Sequence, residues 1–530
     1  MRSQTNRVMI GLKIKRNGEA LMAKNILLFM TDQQRADQVG YGGCEGLTPN
    51  IDRIAAHAWF SGCQTTDPIC TPARTSLITG RYCRQIGTLT MAGDLFPQIP
   101  TFMQALQRAG YTTYGIGKFH YLQTYPWSTP RGCGMDPVAG VEEMKRFGYD
   151  FIWETAGKQQ TVGNYCFYGD YLHKKGLLEQ VRDFFVECGG RNGDTADHNY
   201  DKALPWPFDE EDYIDVVTGR IAREQLEKHP AEKPFYMKVS FCGPHKPYDA
   251  PQRYLDMFPL ERRDDFLLPE GQVLTAEEKE ILYRQRRSAK AMIRLIDDQI
   301  GLILDLLERR DMLKDTLILF TSDHGDMLGD HYLIQKGVPW RQALNVPLAA
   351  WLPGADPVGE RTGVVELHDI AATILDYAGL APQEALSRPW PAYNDRIPCR
   401  SFLSVLRGEK ASHRDFAYSE TDFTEERHAD TVFSEVLRKR GGGGKRTNAW
   451  RAITTEDCKY IRYLDYELGE GPHEELYDLA LDPMETENRV ADPRYARKLR
   501  EARLRMDYTV DRYPTAQLTW ATACAADRYK

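Results

Sequence analysis

Four short apolar runs, each ending in charged or chemically active residues, constrain this chain most. NILLFMT (25–31) runs into DQQRAD, TTYGIGKFH (112–120) ends in lysine and histidine, FYMKVSFCGPH (235–245) in histidine, and TLILFTSDHGD (316–326) in carboxylates and histidine. Uninterrupted apolar runs of this length read as strands buried on both faces, as in a parallel sheet covered by helices. Helical patterns lie between them. TFMQALQRAG (101–110) closes on Gly110, and Thr275 with Glu278 spells a capping box ahead of an apolar stripe through Ile281, Ile293, Ile296, Ile300 and Ile303, which predicts one long helix over about 276–310. The expected fold class is α/β, a large mainly parallel sheet sandwiched by helices. Ligands of such sheets gather at the carboxyl ends of strands, so the four polar ends are candidates for one shared site.

Beyond about residue 409 the pattern changes. WRAITTEDCKYIRYLDY (450–466) alternates and turns like a hairpin, EELYDLALDPMETEN (474–488) follows, and residues 496–508 read as helix. A smaller C-terminal α+β domain with an antiparallel sheet is therefore expected over 410–530. The main domain then covers 23–409. Within it, 122–215 is irregular and rich in Tyr, Trp, Phe and Gly; it reads as an insertion, with a surface excursion and a substrate-facing role both open. Residues 1–22 are expected to be an N-terminal extension, with Met22 a candidate start. RKRGGGGKRTN (438–448) reads as a solvated basic connector, because no strand feeds a helix around it.

With 42% hydrophobic and 27% charged residues over 530 positions, the chain has ample apolar surface for a large core. Its net charge of -8 argues against a general affinity for nucleic acid or anionic membranes, so a phosphate- or sulfate-like ligand must be caught by a few placed cations. No apolar run is long enough to span a bilayer, and the basic start lacks the apolar core and small-residue cleavage site of an export signal; a cytoplasmic location is expected. The eleven cysteines have no CxxC pair or finger spacing, which suggests reduced thiols that mostly serve as small buried hydrophobes.

Cys70 needs a separate reason. In TTDPICTPARTSLITGRY (65–82), Pro72 suits the first turn of a helix, which puts Cys70 at or just before a helix N-terminus. Backbone N–H groups and the macrodipole favour negative charge there, and Arg74 lies one turn along. A thiol at this place is open to four readings from the residues alone: packing, nucleophile, metal ligand, or precursor of another group.

CTPARTSLITGRYCRQIG (70–87) resembles the signature of the type I, formylglycine-dependent sulfatases of the alkaline phosphatase superfamily, in the branch of bacterial arylsulfatases and phosphonate monoester hydrolases. In that family the Cys of CxPxR is converted by a separate formylglycine-generating enzyme into 3-oxoalanine (formylglycine), an aldehyde. TDQ (31–33) is similar to the first metal-binding pair, giving Asp32 and Gln33; relatives often carry a second Asp at the latter, and an amide oxygen brings no charge. SDHGD (322–326) resembles the second pair, giving Asp323 and His324. GKFH (117–120) supplies Lys118 and His120, GPHKPY (243–248) supplies His245, and HYLIQKG (331–337) supplies Lys336.

The resemblance implies one divalent metal ion held by Asp32, Gln33, Cys70, Asp323 and His324, with Ca2+ favoured by the oxygen donors and Mg2+ or Mn2+ also admitted. It further implies hydrolysis of sulfate monoesters, aryl or carbohydrate. The hydrated aldehyde at 70 attacks sulfur, His245 protonates the leaving oxygen, and His120 removes the proton that lets the aldehyde reform. Lys118 and Lys336 hold sulfate oxygens and Arg74 orients the diol. The implied partners are a small anionic sulfate ester and the formylglycine-generating enzyme, and oligomerisation stays open. Two alternatives stand beside this: hydrolysis of phosphonate monoesters or phosphodiesters, and a non-catalytic anion-binding protein in which Cys70 stays a thiol. Tyr121, Tyr125, Trp127, Tyr165, Phe167 and Tyr168 are equally candidates for stacking on a substrate ring and for core.

Overall fold

The computed structural model describes residues 25–89, 91, 94–122, 136–188, 202–387, 396–422, 449–464 and 474–515. The main sheet has eight strands: β1 (Asn25–Asp32), β2 (Ala58–Gln64), β3 (Thr112–Gly117), β4 (Phe151–Glu154), β5 (Phe235–Pro244), β6 (Thr316–Ser322), β7 (Leu348–Trp351) and β8 (Gly359–Glu366), in the spatial order β4-β3-β5-β1-β6-β7-β2-β8. All pairings are parallel except those of β7, which runs antiparallel to both β6 and β2. The four apolar runs are β1, β3, β5 and β6, and they are consecutive neighbours in the sheet. Their polar ends therefore emerge side by side on one rim.

These strands lie in the middle because of their sequence. Ile26 through Met30 are fully buried, as are Leu317 through Phe320, so both faces must be covered. Burying a side chain of this kind contributes about 1.5–3 kcal/mol. The long helix Ala276–Arg309 supplies part of the cover with Ile293, Ile296, Ile300 and Ile303 inward, and its start is capped as the sequence predicts: Glu278 N–H donates to Thr275 Oγ1 at 3.3 Å and Thr275 N–H to Glu278 Oε2 at 2.9 Å. The helix Phe102–Arg108 is capped by Thr101 and Gln104 in the same way, and Gly110 just past it has φ +93°.

The second sheet has four antiparallel strands, β9 (Ala417–Asp422), β10 (Ala449–Thr454), β11 (Cys458–Tyr463) and β12 (Glu474–Asp478), backed by the helix Ala496–Arg512. β10 and β11 are the hairpin expected at 450–466. This sheet docks on the rim of the main one. Ser419 Oγ donates to the Thr65 carbonyl at 2.6 Å, and Trp450 Nε1 donates to the Gly337 carbonyl at 3.0 Å, one residue from Lys336.

The stretch 122–215 contributes more to the main domain than an irregular insertion would. It carries β4 at the sheet edge and the helices Lys158–Gly163, Phe167–Lys174 and Leu178–Glu187. Tyr121 and Tyr168 are fully buried and Tyr165 nearly so, with the Tyr168 hydroxyl donating to the Asp212 carbonyl at 2.8 Å. These three are core; Phe167 packs against that core, half-buried. Tyr125, Trp127 and the basic run at 438–448 lie outside the described residues.

Candidate active site

The helix Cys70–Thr79 starts at Cys70, and all ten of its residues are buried. Its first turn faces the rim where β1, β3, β5 and β6 end. Around the Cys70 sulfur, Lys336 Nζ lies at 3.0 Å, His324 Nε2 at 3.2 Å, Asp32 Oδ1 at 3.8 Å and Lys118 Nζ at 3.9 Å. The structure thus brings together residues 32, 70, 118, 324 and 336, with Cys70 and Lys336 separated by 266 positions in the chain.

Arg74, with no exposed surface, ties the two metal-site carboxylates to each other. Its Nε donates to Asp323 Oδ2 at 2.7 Å, Nη2 to Asp32 Oδ2 at 3.0 Å and Nη1 to Ser240 Oγ at 2.8 Å and to the Lys118 carbonyl. A planar fork suits this work, because it meets two carboxylates and two neutral acceptors without moving. The resemblance implies that Arg74 orients the diol at position 70; in the structure its hydrogen bonds go to the carboxylates and the strand ends.

The charges act on one another. Burial and Asp32 push the Cys70 thiol up, but Lys118, Lys336 and His324 outweigh them and bring it well below its ordinary value, so an anion is favoured at this position. Burial likewise works against ionisation of Asp32, and Lys118, His245, Lys336 and Arg74 overcome it, leaving the carboxyl well below the usual range. Lys118, 2.6 Å from Asp32 Oδ2, is held above its ordinary value despite burial. Three fixed cations, Arg74, Lys118 and Lys336, face two carboxylates, so the cradle has room for an anion.

Both histidines are held neutral. Burial, with Lys118 beside it, lowers His120. Its Nε2 contacts the Ala156 carbonyl at 3.1 Å, so the proton sits there and Nδ1, buried and without a hydrogen-bond partner among the described residues, keeps its lone pair. Burial, Lys336 and Lys118 bring His245 well below its ordinary value, and its Nδ1 faces the Lys246 carbonyl at 2.8 Å, leaving Nε2 without the proton.

The donor set fits a hard divalent cation. Asp32, Cys70, Asp323 and His324 each offer a ligand atom, and the four atoms lie within 4.8 Å of one another. His324 Nδ1 is 3.0 Å from the Gly325 carbonyl, which takes its proton and leaves the Nε2 lone pair toward the cluster. Gln33 adds a fifth candidate donor: its Oε1 is buried with no partner among the described residues. Oxygen-rich donors with one imidazole suit Ca2+, Mg2+ or Mn2+.

The backbone at this rim is unusual. Gln33 (φ +68°) and His120 (φ +54°) both lie in the left-handed region, where a non-glycine residue persists only if its surroundings hold it. Two motif glycines are explained by close approach. A Cβ on Gly117 would lie 1.9 Å from the Ser240 carbonyl oxygen, and one on Gly325 would lie 2.0 Å from that of Gln342.

Sequence reasoning passed over two groups. Asp326, the last residue of SDHGD, accepts four hydrogen bonds around the site. A second buried cluster, Glu366, His368 and Asp369, sits where β8 ends beside the small sheet, but Arg414 already pairs with both carboxylates (3.1 Å to Glu366 and 2.5 Å to Asp369), so its charge is compensated. An arginine after the expected domain boundary, facing an acidic run before it, was the available signal for this pair.

Comparison with known proteins gives this arrangement a family. Residues 24–380 match the family model "Sulfatase". The chain belongs to the sulfatase family. It is 28% identical over 504 residues to an arylsulfatase of Clostridium perfringens, covering 90% of this chain and 92% of that one. Among solved structures, the fold is similar to a phosphonate monoester hydrolase of Agrobacterium radiobacter (TM-score 0.70, 23% identity, covering 94% of this chain and 98% of that one). It is also similar to a protein solved in complex with its substrate D-glucosamine-2-N,6-O-disulfate (TM-score 0.65, 21% identity, 93% and 98% covered). This sulfatase is an enzyme of sulfate-ester hydrolysis with an alkaline phosphatase-like α/β fold.

Proposed function

We propose that the protein hydrolyses sulfate monoesters of small aryl or carbohydrate alcohols, with Cys70 matured to formylglycine by a separate generating enzyme. The convergence of Lys118, Lys336, Asp32 and His324 on the position-70 side chain carries this reading. Asp32, Gln33, Asp323 and His324, with the group at position 70, would hold one divalent cation, Ca2+ by preference. When bound, it supplies positive charge that draws electron density from the sulfuryl oxygens and favours an anionic nucleophile.

The remaining work falls to the chain's own residues. Lys118 and Lys336 grip sulfate oxygens as point charges, and Arg74 ties the two carboxylates to each other and keeps the site rigid. His120 keeps an unprotonated Nδ1, the form required to take a proton from a hydroxyl at position 70. His245 is neutral in the free site because it is half-buried and two lysines lie beside it. An anionic substrate between those lysines offsets them, and the ring can then carry the proton it delivers to the leaving oxygen. All nine described cysteines are unpaired, which supports a reducing, cytoplasmic setting; among the described residues no helix is long and apolar enough to cross a membrane.

A second reading, phosphonate monoester or phosphodiester hydrolysis, is favoured by the likeness to the phosphonate monoester hydrolase. Steady-state kcat/KM on a panel of sulfated sugars and aryl sulfates, run beside phenyl phosphonate monoesters, separates the two. The proposal expects the larger value for a sulfate monoester; a larger value for the phosphonate refutes it.

A further inference from the structure

Gln33 is the one position where the metal-site motif brings an amide instead of a charge, and the structure supplies the reason. Its Nε2 donates to Asp326 Oδ2 at 2.6 Å, while its backbone N–H donates to Asp323 Oδ1 at 3.1 Å. An amide has a donor end and an acceptor end, so anchoring Nε2 on a carboxylate turns Oε1 the other way. That Oε1 is the buried oxygen without a partner among the described residues. A carboxylate at position 33 would instead set one anion against another at hydrogen-bond distance in a buried place.

Asp326, only 2% exposed, uses its full acceptor capacity. Oδ2 takes Gln33 Nε2 and the Tyr248 hydroxyl (2.7 Å), and Oδ1 takes the backbone N–H groups of Leu328 (3.2 Å) and Gln335 (2.8 Å). Tyr248 lies three residues past His245, and Gln335 directly precedes Lys336. The loop 328–335 is itself strained, with Leu328, His331, Tyr332 and Gln335 all at positive φ. One carboxylate therefore fastens the end of β1, the His245 loop and the Lys336 loop.

We propose that Asp326 is a positioning residue: it orients the Gln33 amide so that Oε1 serves the divalent cation, and Gln33 and Asp326 form one interdependent pair. This rests on the metal reading above.

Calorimetric titration of Ca2+ into chelator-stripped protein tests it without using turnover. In Asp326→Asn, the new side-chain amide can still accept the backbone N–H groups but presents N–H to Gln33, whose own amide then turns over and aims its N–H at the cation. Ca2+ affinity is expected to fall about 10- to 100-fold, as for other partners that orient a metal ligand. Adding Gln33→Glu restores it, because the carboxylate introduced at position 33 accepts from the amide introduced at position 326 with one oxygen and keeps the other for the cation. Affinity of Asp326→Asn within about threefold of the parent overturns the proposal, since such a partner is expected to matter more. So does a double variant that stays weak. If Asp326→Asn alone does not fold, the double variant carries the test: folded and binding supports the pair, unfolded or non-binding overturns it. A parent protein that binds none of Ca2+, Mg2+ or Mn2+ refutes the metal reading instead.

Discussion

Replacing Arg74 by Met probes the charge arrangement most directly. The guanidinium is fully buried and makes four hydrogen bonds, to Asp323, Asp32, Ser240 and the Lys118 carbonyl. Methionine fills much of the same volume and makes none of them. Asp32 keeps Lys118 at 2.6 Å, but among the described residues Asp323 retains N–H donors from Gln33 and His324 and loses its directly paired guanidinium. Breaking a buried ion pair from one side costs about 3–5 kcal/mol. For a domain of this size, with about 2.1 cal/mol/K of unfolding entropy per residue, that lowers Tm by roughly 4–6 °C. The assay is thermal unfolding with chelator and with saturating Ca2+. A cation held by Asp32 and Asp323 takes over the compensation, so the deficit should shrink when calcium is present. A variant within about 1 °C of the parent in chelator, against the expected scale, would show that Arg74 does not compensate these carboxylates. A deficit equal in both conditions would break the link between Asp323 and the cation.

Removing the acid at His245 should matter in proportion to how badly the alcohol leaves. His245→Ala is expected to lower kcat about 10²- to 10⁴-fold on an alkyl or sugar sulfate and far less on 4-nitrophenyl sulfate; equal losses would remove the general-acid role. The Glu366–Asp369–Arg414 cluster predicts an acid limb of stability. Burial alone would raise both carboxyls, but Arg414, with His368 at Glu366 and His413 at Asp369, holds them below their ordinary values. Their contribution is complete above the unfolded values near about 4 and is lost as pH falls below that. Arg414→Met leaves them buried without their arginine, which costs about 3–5 kcal/mol at neutral pH and raises both carboxyls, so the variant gains stability as pH falls from about 7 toward about 5 while the parent does not. Tm measured across that range checks the sign; parallel profiles would refute it.

The chemistry of this chain lies close to the surface of its sequence for a physical reason. Buried central strands are mostly apolar, so NILLFMT, FYMKVSFCGP and TLILFTS stand out even with the buried Lys238 inside the second, and the polar residues that follow them are where a parallel sheet places a ligand. The capping box at Thr275 likewise announces the start of the helix Ala276–Arg309. Other elements were not announced. β2 and β8 mix polar and apolar residues because they lie toward the sheet edge, and β7 is only four residues long and antiparallel, so no periodicity marks it. The aromatic residues Tyr121, Tyr165 and Tyr168 looked the same as ring-stacking groups until packing placed them in the core. Asp326 shows the limit most clearly. Its partners at 33 and 248 come from distant segments and those at 328 and 335 from the loop that follows it, and only the folded chain brings their donors onto one carboxylate.

Everything proposed for the reaction depends on the residue written as Cys70 acting as an aldehyde in a cation-lined cradle. Mass spectrometry of the proteolytic peptide that contains it, taken from protein with measured sulfatase activity, decides this. The expected spectrum shows a mass lowered by exchange of the thiol for an aldehyde oxygen, in a fraction that rises and falls with specific activity. Full activity in protein whose Cys70 is entirely thiol would overturn the aldehyde reading.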